Sequence, residues 1–352
     1  MKTISIITPT LNAQRTLAEC LNHIANQNYP KENVEIIVVD GGSTDDTLKI
    51  AKEYNCIVIT NPLKTAEAGK LLGLKHAKYD LVAFIDSDNI LIDKNWLLRM
   101  QAPFDDLEII ASEPIKFECG PTDHPFTRYY AYLGMGDPIN LFLGNYDRYS
   151  YITATWTGLD LELEEKEGYK KVRLEEGYIP TIGANGFVAR KEALSPLIGL
   201  DYFFDVDVLE TLMSANKNNA RFFYIAKVDI GLVHIFTGTF STMIRKYQRK
   251  IRDYVYYTSI NVRIRPRKKN KNPVLELIYP GGFNLGGLML YLLSCITITP
   301  LIIQALVGFM RKPDWVWVLH PIVTEITCYV YVTERIKSFF KKQIYDRSNW
   351  SQ

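Results

Sequence analysis

Three aspartates are placed where they could do chemistry. Asp40 closes the apolar run Val34–Val39 and opens Asp40-Gly41-Gly42-Ser43, while Asp86 and Asp88, separated by Ser87, follow the apolar run Leu81–Ile85. A carboxylate at Asp40 can accept hydrogen bonds from ribose hydroxyls or a base N–H. Two carboxylates one residue apart can hold a hard divalent cation, Mg or Mn, which prefers oxygen ligands and bridges readily to diphosphate. Such a cation stabilises the charge that develops on a departing diphosphate. Each motif also has a plain reading, Asp-Gly-Gly-Ser as a turn with a helix cap and Asp-Ser-Asp as a solvated strand end. The sequence contains no Walker motif, GxGxxG, HExxH or nucleophile elbow. Phosphate would therefore be held by metal and scattered basic groups, not by a glycine-rich loop.

The elements that must position these groups alternate in type. Strands are expected at Thr3–Thr8, Val34–Val39, Cys56–Thr60 and Leu81–Ile85, and helices at Thr16–Gln27, Asp45–Tyr54 and Ala66–Ala77. This βαβαβαβ order predicts an α/β fold with a mostly parallel sheet covered by helices on both faces. Ligands on such sheets collect at the carboxyl ends of strands. Asp40 and the Asp86/Asp88 pair both fall there.

The runs Ser5-Ile6-Ile7-Thr8-Pro9-Thr10-Leu11-Asn12, Val38-Val39-Asp40-Gly41-Gly42-Ser43-Thr44-Asp45 and Phe84-Ile85-Asp86-Ser87-Asp88-Asn89, with their spacing, resemble glycosyltransferase family 2. The resemblance is strongest over residues 1–100 and extends to about residue 250. It implies a Rossmann-like GT-A fold, a nucleotide-diphosphate sugar donor (a UDP- or GDP-sugar), a divalent cation and inversion at the anomeric carbon. By resemblance, Asp40 contacts the nucleoside in a pocket lined by Pro9, Thr10 and Asn12. Asp86 and Asp88 form the DxD pair, with Asp88 the direct metal ligand. Glu67, Gly69 and Lys70 fall where the family lines the donor site, and Lys70 faces the diphosphate or is a solvated helix lysine.

Inverting transfer to a hydroxyl needs a base on the acceptor side. The family places an Asp after a glycine-containing loop and at a helix start. Here the loop is residues 180–187, with Gly183 and Asn185 as acceptor or diphosphate contacts, and the helix opens at Phe204-Asp205-Val206-Asp207. The family usually has Glu-Asp where this chain has Phe-Asp, which leaves the register open; counting back from Leu212 favours Asp205 as the base, with Asp207 close behind, and a helix N-cap is the alternative for one of them. A phosphate acceptor, already ionised, would need neither. His234, after the apolar run Ile230–Val233, is a further metal ligand or acceptor contact by resemblance; a satisfied core histidine is the alternative. The Gly-rich stretch Arg128–Trp156 is expected to be a loop-rich insert that shapes the acceptor or sugar pocket.

Charge divides the chain. Residues 245–352 hold 18 Lys/Arg and 6 Asp/Glu, a balance of +12, so the +2 total leaves −10 for residues 1–244. An acidic front and a basic tail suggest two jobs, the tail facing an anionic surface. Arg245, Lys246, Arg249, Lys250 and Arg252, interleaved with tyrosines, suit an amphipathic helix on anionic lipid. Arg245 and Arg249 also resemble the basic segment that the family sets over the diphosphate. Nucleic-acid binding is disfavoured, because the basic cluster runs into an apolar stretch.

That stretch, Leu277–Met310, has 34 residues without Asp, Glu, Lys, Arg or His, and a second, Trp315–Thr333, has 19 residues with only His320 and Glu325 of that class. A membrane-spanning helix needs about 20 apolar residues. Pro300 is expected to kink the first run, and Gly282 with Gly286 forms a possible GxxxG contact. Basic residues flank both outer ends, which predicts a transmembrane hairpin with both ends cytoplasmic; an interfacial hairpin is the alternative. Ile4–Ile7 is a strand-length run and not a signal peptide, so the front domain is expected in the cytosol. The resulting plan is a catalytic domain over 1–240 (donor half 1–100, acceptor half 101–240), a basic juxtamembrane segment over 241–276, two membrane helices over 277–333 and a basic tail over 334–352. The five scattered cysteines include no CxxC pair, which leaves no zinc ribbon or redox motif in the sequence.

The combined expectation is a multi-pass membrane glycosyltransferase that moves a sugar from its nucleotide donor to a lipid-borne acceptor, polyprenyl phosphate or a lipid-linked saccharide. Rival readings are a membrane-anchored nucleotide-sugar binding protein and a nucleotidyltransferase, which would also use paired carboxylates but release pyrophosphate.

Overall fold

A computed structural model describes residues 1–175, 179–182, 185–198, 208–215, 224–236, 238–259 and 284–340. These form two compact units, one of residues 1–115 and 161–234, the other of residues 116–160 and 235–340. Residues 116–160, assigned by the sequence reading to the acceptor half, thus pack with the C-terminal helices.

The first unit is built on one mixed sheet. Strands β1 (Ile4–Thr10), β2 (Val34–Asp40), β3 (Ile57–Thr60) and β4 (Leu81–Phe84) alternate with helices α1 (Leu17–Ala25), α2 (Thr47–Glu53) and α3 (Ala66–His76). The short β5 (Asn89–Ile90) and α4 (Trp96–Gln101) follow, then β6 (Ile109–Glu118). The same sheet takes up β7 (Leu163–Lys166), β8 (Tyr169–Arg173), β9 (Phe187–Arg190) and β10 (Tyr224–His234). The order is β3-β2-β1-β4-β9-β6-β10-β8-β7, with β5 paired to β10. The β1–β2, β1–β4 and β2–β3 pairs are parallel, while β9 joins β4 and β6 antiparallel. Glu113 of β6 and Lys227 of β10, both fully buried, form an ion pair at 2.6 Å.

Strand β1 is buried throughout, and the apolar faces of β2 and β4 join it in the core. β1 runs two residues beyond its expected end, through Pro9. Ile7 and Pro9 point their backbone polar groups to the same side, and on that side the β4 ladder stops at the Ile7–Phe84 pair. The N–H that Pro9 lacks would have had no ladder partner. Helix α3 starts at Thr65, whose Oγ1 accepts the Ala68 N–H at 3.2 Å. It lies so close to the sheet that a Cβ on Gly73 would come within 2.4 Å of Ile7 Cγ2.

The second unit is helical. Helix α5 (Pro125–Leu133) and α6 (Ile139–Leu143) occupy the stretch expected to be loop-rich, and both end on a left-handed glycine, Gly134 and Gly144. After α7 (Val208–Ala215) of the first unit, the second continues with α8 (Phe240–Ser259), α9 (Leu285–Thr297), α10 (Thr299–Arg311) and α11 (Leu319–Phe340). Tyr129, Tyr130, Tyr247, Met243, Trp317, Val323 and Val330 share its aromatic core. Tyr129 OH and His320 Nδ1 lie 3.0 Å apart, and His320 Nε2 meets Gln304 Oε1 at 3.0 Å.

The first apolar run is not one kinked helix. It breaks at Ile298, whose φ of 60° is left-handed, into α9 and α10, which meet at 96°. Pro300 sits in the first turn of α10, where a missing N–H is harmless. At 13 residues each the two helices are about 20 Å long, short of the roughly 30 Å hydrocarbon layer. Among the described residues one helical stretch, Trp315–Lys337, is long and apolar enough to cross a membrane; the bent pair would be a second only if it counts as one span. Gly282 lies outside the described residues. The close-approach glycine is Gly287, where a Cβ would sit 2.3 Å from the Phe142 carbonyl oxygen, and not Gly286.

Candidate active site

The site groups of the first unit gather at strand ends. Asp40 ends β2, Thr10 ends β1, and Asp86 and Asp88 lie just past β4, the strand on the other side of β1. Local chemistry shapes each end. Asp40 is buried and closes its own turn: Oδ2 accepts the N–H groups of Gly42 and Ser43 at 2.8 and 2.9 Å, and Oδ1 accepts the Ser43 and Thr10 hydroxyls at 2.5 and 3.3 Å. A carboxylate has about four lone-pair sites, and all are engaged. A nucleoside would have to replace the long Thr10 contact or the Ser43 hydroxyl. The turn reading of Asp-Gly-Gly-Ser is thus realised in the fold.

Asn12 links the neighbouring loop to this turn. At φ 51° it donates its N–H to Ser43 Oγ at 2.8 Å, and its Oδ1 accepts the Thr44 N–H at 2.9 Å. Pro9 lies against α3, where a Cβ on Gly69 would stand 3.1 Å from Pro9 Cβ. Glu67 is half-buried in the first turn of α3. Lys70 is not a solvated helix lysine. It is buried, with Nζ 3.3 Å from Asp86 Oδ1.

Around the aspartate pair, burial raises the Asp86 pKa; Lys70 opposes that shift, and the nearby Asp88 charge adds to it. Asp88 Oδ2 lies 3.6 Å from His234 Nε2, and Asp88 Oδ1 accepts an N–H of Asn89 at 3.1 Å. Asn185 reaches the same cluster through Asn89, at 3.0 Å. Among the described residues no three His, Cys, Asp or Glu side chains are grouped so as to cage a metal on their own. Two carboxylates at a strand end suit instead a cation that keeps open positions for phosphate oxygens.

The fold therefore brings together Lys70, Asp86, Asp88, Asn185 and His234, and separately Thr10, Asn12 and Asp40. Gly183, Asp205 and Asp207 lie outside the described residues. Arg245 and Arg249 are exposed on α8 of the second unit. Sequence reasoning assigned no role to Asn89 or Ser43. The signal for Ser43 was its place in the turn, and for Asn89 its place directly after the aspartate pair.

The sequence profile described as Glycosyl transferase family 2 matches residues 5–194. The chain belongs to glycosyltransferase family 2. The mixed sheet is the GT-A fold of that family's enzymes. The chain superposes on mannosyltransferase PcManGT from Pyrobaculum calidifontis, solved with GDP-mannose and Mn2+, with a TM-score of 0.54 and 15% identity over 97% of this chain and 88% of that one. Among curated relatives, the poly(ribitol-phosphate) beta-N-acetylglucosaminyltransferase TarS of Staphylococcus aureus is 36% identical over 97 residues, 26% of this chain and 17% of the relative. A dolichyl N-acetyl-alpha-D-glucosaminyl phosphate 3-beta-D-2,3-diacetamido-2,3-dideoxy-beta-D-glucuronosyltransferase of Methanococcus voltae is 40% identical over 87 residues, 23% of this chain and 27% of the relative. The chain thus matches less than a third of the length of either relative.

Proposed function

We propose that this family 2 protein is a metal-dependent inverting glycosyltransferase that moves a sugar from a UDP- or GDP-sugar to a lipid-borne acceptor at the cytoplasmic membrane face. The observation that carries the reading is the meeting of Asp86, Asp88 and the buried Lys70 beside the carboxyl end of β4. Asp86 and Asp88 would hold Mg or Mn against the donor diphosphate, with His234 within reach of Asp88. When bound, that cation supplies charge stabilisation to the leaving nucleoside diphosphate. Lys70 opposes the rise that burial imposes on the Asp86 pKa, and so favours the ionised carboxylate that a cation needs. Thr10, Asn12 and Asp40 would seat the nucleoside. Asp205 or Asp207 would take the proton of a hydroxyl acceptor; a phosphate acceptor would need no base.

The lipid part of the proposal rests on the second unit. Helices α9, α10 and α11 leave Leu290, Leu293, Ile303, Leu306, Phe309 and Tyr329 exposed, and α8 carries exposed Arg245, Arg249 and Lys250. Apolar surface beside basic residues fits a protein seated on an anionic membrane. The Methanococcus voltae relative is named for a dolichyl-linked acceptor.

The test is release of nucleoside diphosphate by detergent-purified protein with its native lipids, across a nucleotide-sugar panel with Mn2+ or Mg2+, beside Asp88→Ala. We expect metal-dependent release from one donor, raised by added lipid extract and reduced at least a hundredfold in the variant. Release that ignores lipid but rises with a soluble polyol-phosphate polymer would replace the lipid acceptor with the class named for the Staphylococcus aureus relative. Release of pyrophosphate would mark a nucleotidyltransferase, and no release despite nucleotide binding a protein without turnover.

A further inference from the structure

Asn89 is fully buried, and its carboxamide joins three parts of the site. Oδ1 accepts the Asp86 N–H at 3.1 Å, and Nδ2 donates to Asp88 Oδ1 at 3.1 Å and to Asn185 Oδ1 at 3.0 Å. The amide orientation is forced by its partners. A backbone N–H can only donate, and an ionised carboxylate can only accept. The Asn89 N–H also donates to the Asp86 carbonyl at 2.9 Å, which closes the Asp86–Asn89 turn. In the β5–β10 ladder Asn89 is the register partner of His234. One residue therefore sets the backbone of Asp86, the carboxylate of Asp88 and the position of Asn185, while its main chain lies beside His234.

We propose that Asn89 is a positioning residue for the metal–diphosphate site, holding the Asp88 carboxylate in its ligating orientation and in register with Asn185. This rests on the assignment of Asp86 and Asp88 as the metal-binding pair. The physical reason is the donated N–H. Without it, the Asp88 carboxylate, on a half-buried turn, has more rotamers open to it, and the ion must select the productive one. Outer partners of metal ligands are worth about 10–100-fold in metal affinity. Three hydrogen bonds on one enclosed carboxamide place Asn89 in that class.

The experiment measures Mn2+ binding to the full chain in detergent by the loss of the free-ion electron paramagnetic resonance signal beyond that caused by the same UDP or GDP without protein, and needs no turnover. Three variants are compared with the wild type. Asn89→Ala removes the carboxamide. Asn89→Leu keeps about the same volume with no donor, acceptor or charge, and so covers the case in which the alanine variant fails to fold because of the cavity it leaves. Asn185→Ala removes only the outer partner. We expect Mn2+ affinity to fall about 10–100-fold in both Asn89 variants and about threefold or less in Asn185→Ala. The Asn89→Ala/Asn185→Ala double variant should lose less Mn2+ affinity than the product of the two single losses, because the two side chains are hydrogen-bonded to each other. Nucleotide binding without metal should stay within twofold. Wild-type Mn2+ affinity in the Asn89 variants overturns the proposal, as does equal loss of metal-dependent and metal-free nucleotide binding, which would mark general collapse of the site. Failure of the wild type to bind Mn2+ with either nucleotide would instead overturn the assignment of Asp86 and Asp88.

Discussion

At the residue scale, buried carboxylates in this protein are governed by what surrounds each one. Asp40 is saturated by its own turn and Thr10, Asp86 shares its enclosure with Lys70, and Asp88 leans on Asn89 and His234. Asp137, in the helical unit, is a different case. Its Oδ1 accepts the Ile139 N–H at 3.2 Å and its Oδ2 accepts the Tyr331 hydroxyl, inside an aromatic core. Burial raises its pKa, while Lys250, Tyr331 and the Ile139 N–H oppose the shift. A carboxyl whose folded pKa lies above its unfolded value stabilises the fold below the unfolded pKa and loses that contribution as pH rises through the folded one. Asp137→Asn keeps an acceptor for the Ile139 N–H and an amide that can donate to Tyr331. The melting temperature of the variant minus that of the wild type should therefore become more positive from about pH 4 to pH 7. Thermal melts at fixed detergent and salt would check this. A difference that is flat or falls with pH would show that Asp137 is not held against ionisation.

At the element scale, much of the donor half was legible in sequence. The four parallel strands and three helices fall within two residues or so of their expected bounds, because β-branched runs, turn residues and helical spacing are local signals. Where bounds moved, a backbone partner was responsible: β1 passes Pro9 because no donor is needed there. The break falls at Ile298, two residues before the Pro300 that marks a kink in the sequence. Proline in the sequence marks a boundary, but which residue takes the left-handed turn depends on packing. Gly186 shows the same dependence. It sits at φ +80°, and a Cβ there would stand 2.6 Å from Leu232 and 2.9 Å from Trp96. Its N–H donates to the Phe84 carbonyl at 2.9 Å and so starts the β4–β9 pairing beside Asn185. Gly186→Ala should cost about 1–3 kcal/mol from backbone strain and overpacking. Chemical denaturation with the nucleotide absent would measure it, and a loss below about 0.5 kcal/mol would contradict the geometry.

At the scale of the whole molecule, the first unit is stabilised by a sheet core and the second by helices that bury one face and expose another. The helix from Leu319 shows both sides. His320, Thr324, Thr327 and Glu334 are buried on protein, with Glu334 held by Arg252 at 3.0 Å, whereas Ile322, Tyr329, Val332 and Ile336 are exposed. Polar groups on an apolar helix are tolerable when a neighbouring helix satisfies them. An apolar exposed face is insensitive to salt screening, unlike a purely basic one. The protein is therefore expected to stay with membranes through high salt and alkaline carbonate and to be released by detergent. Leu306→Glu with Phe309→Glu, both on the exposed face of α10, should move a large share into the carbonate-soluble fraction. Fractionation followed by immunoblotting would decide it. Complete release of the wild type by salt alone would assign the attachment to Arg245, Arg249 and their neighbours.

The amino-acid sequence by itself determined the alternation of strands and helices, the placement of Asp40, Asp86 and Asp88 at strand ends, and the apolar, basic character of the tail. Those features follow from periodicity, turn chemistry and composition, which act over a few residues. Tertiary structure decided which groups meet. Lys70 is sixteen positions from Asp86 and meets it because α3 packs on the sheet at β1, the strand beside β4, whereas Asn185 and His234 are about a hundred or more positions from Asn89, so only the insertion of β9 beside β4 and the return of β10 beside β5 could join them to it. It also decided that residues 116–160 pack with the C-terminal helices. Side chains such as Tyr129 find their partners across the helical core, a choice set by mutual burial and hydrogen-bond satisfaction that no local pattern encodes.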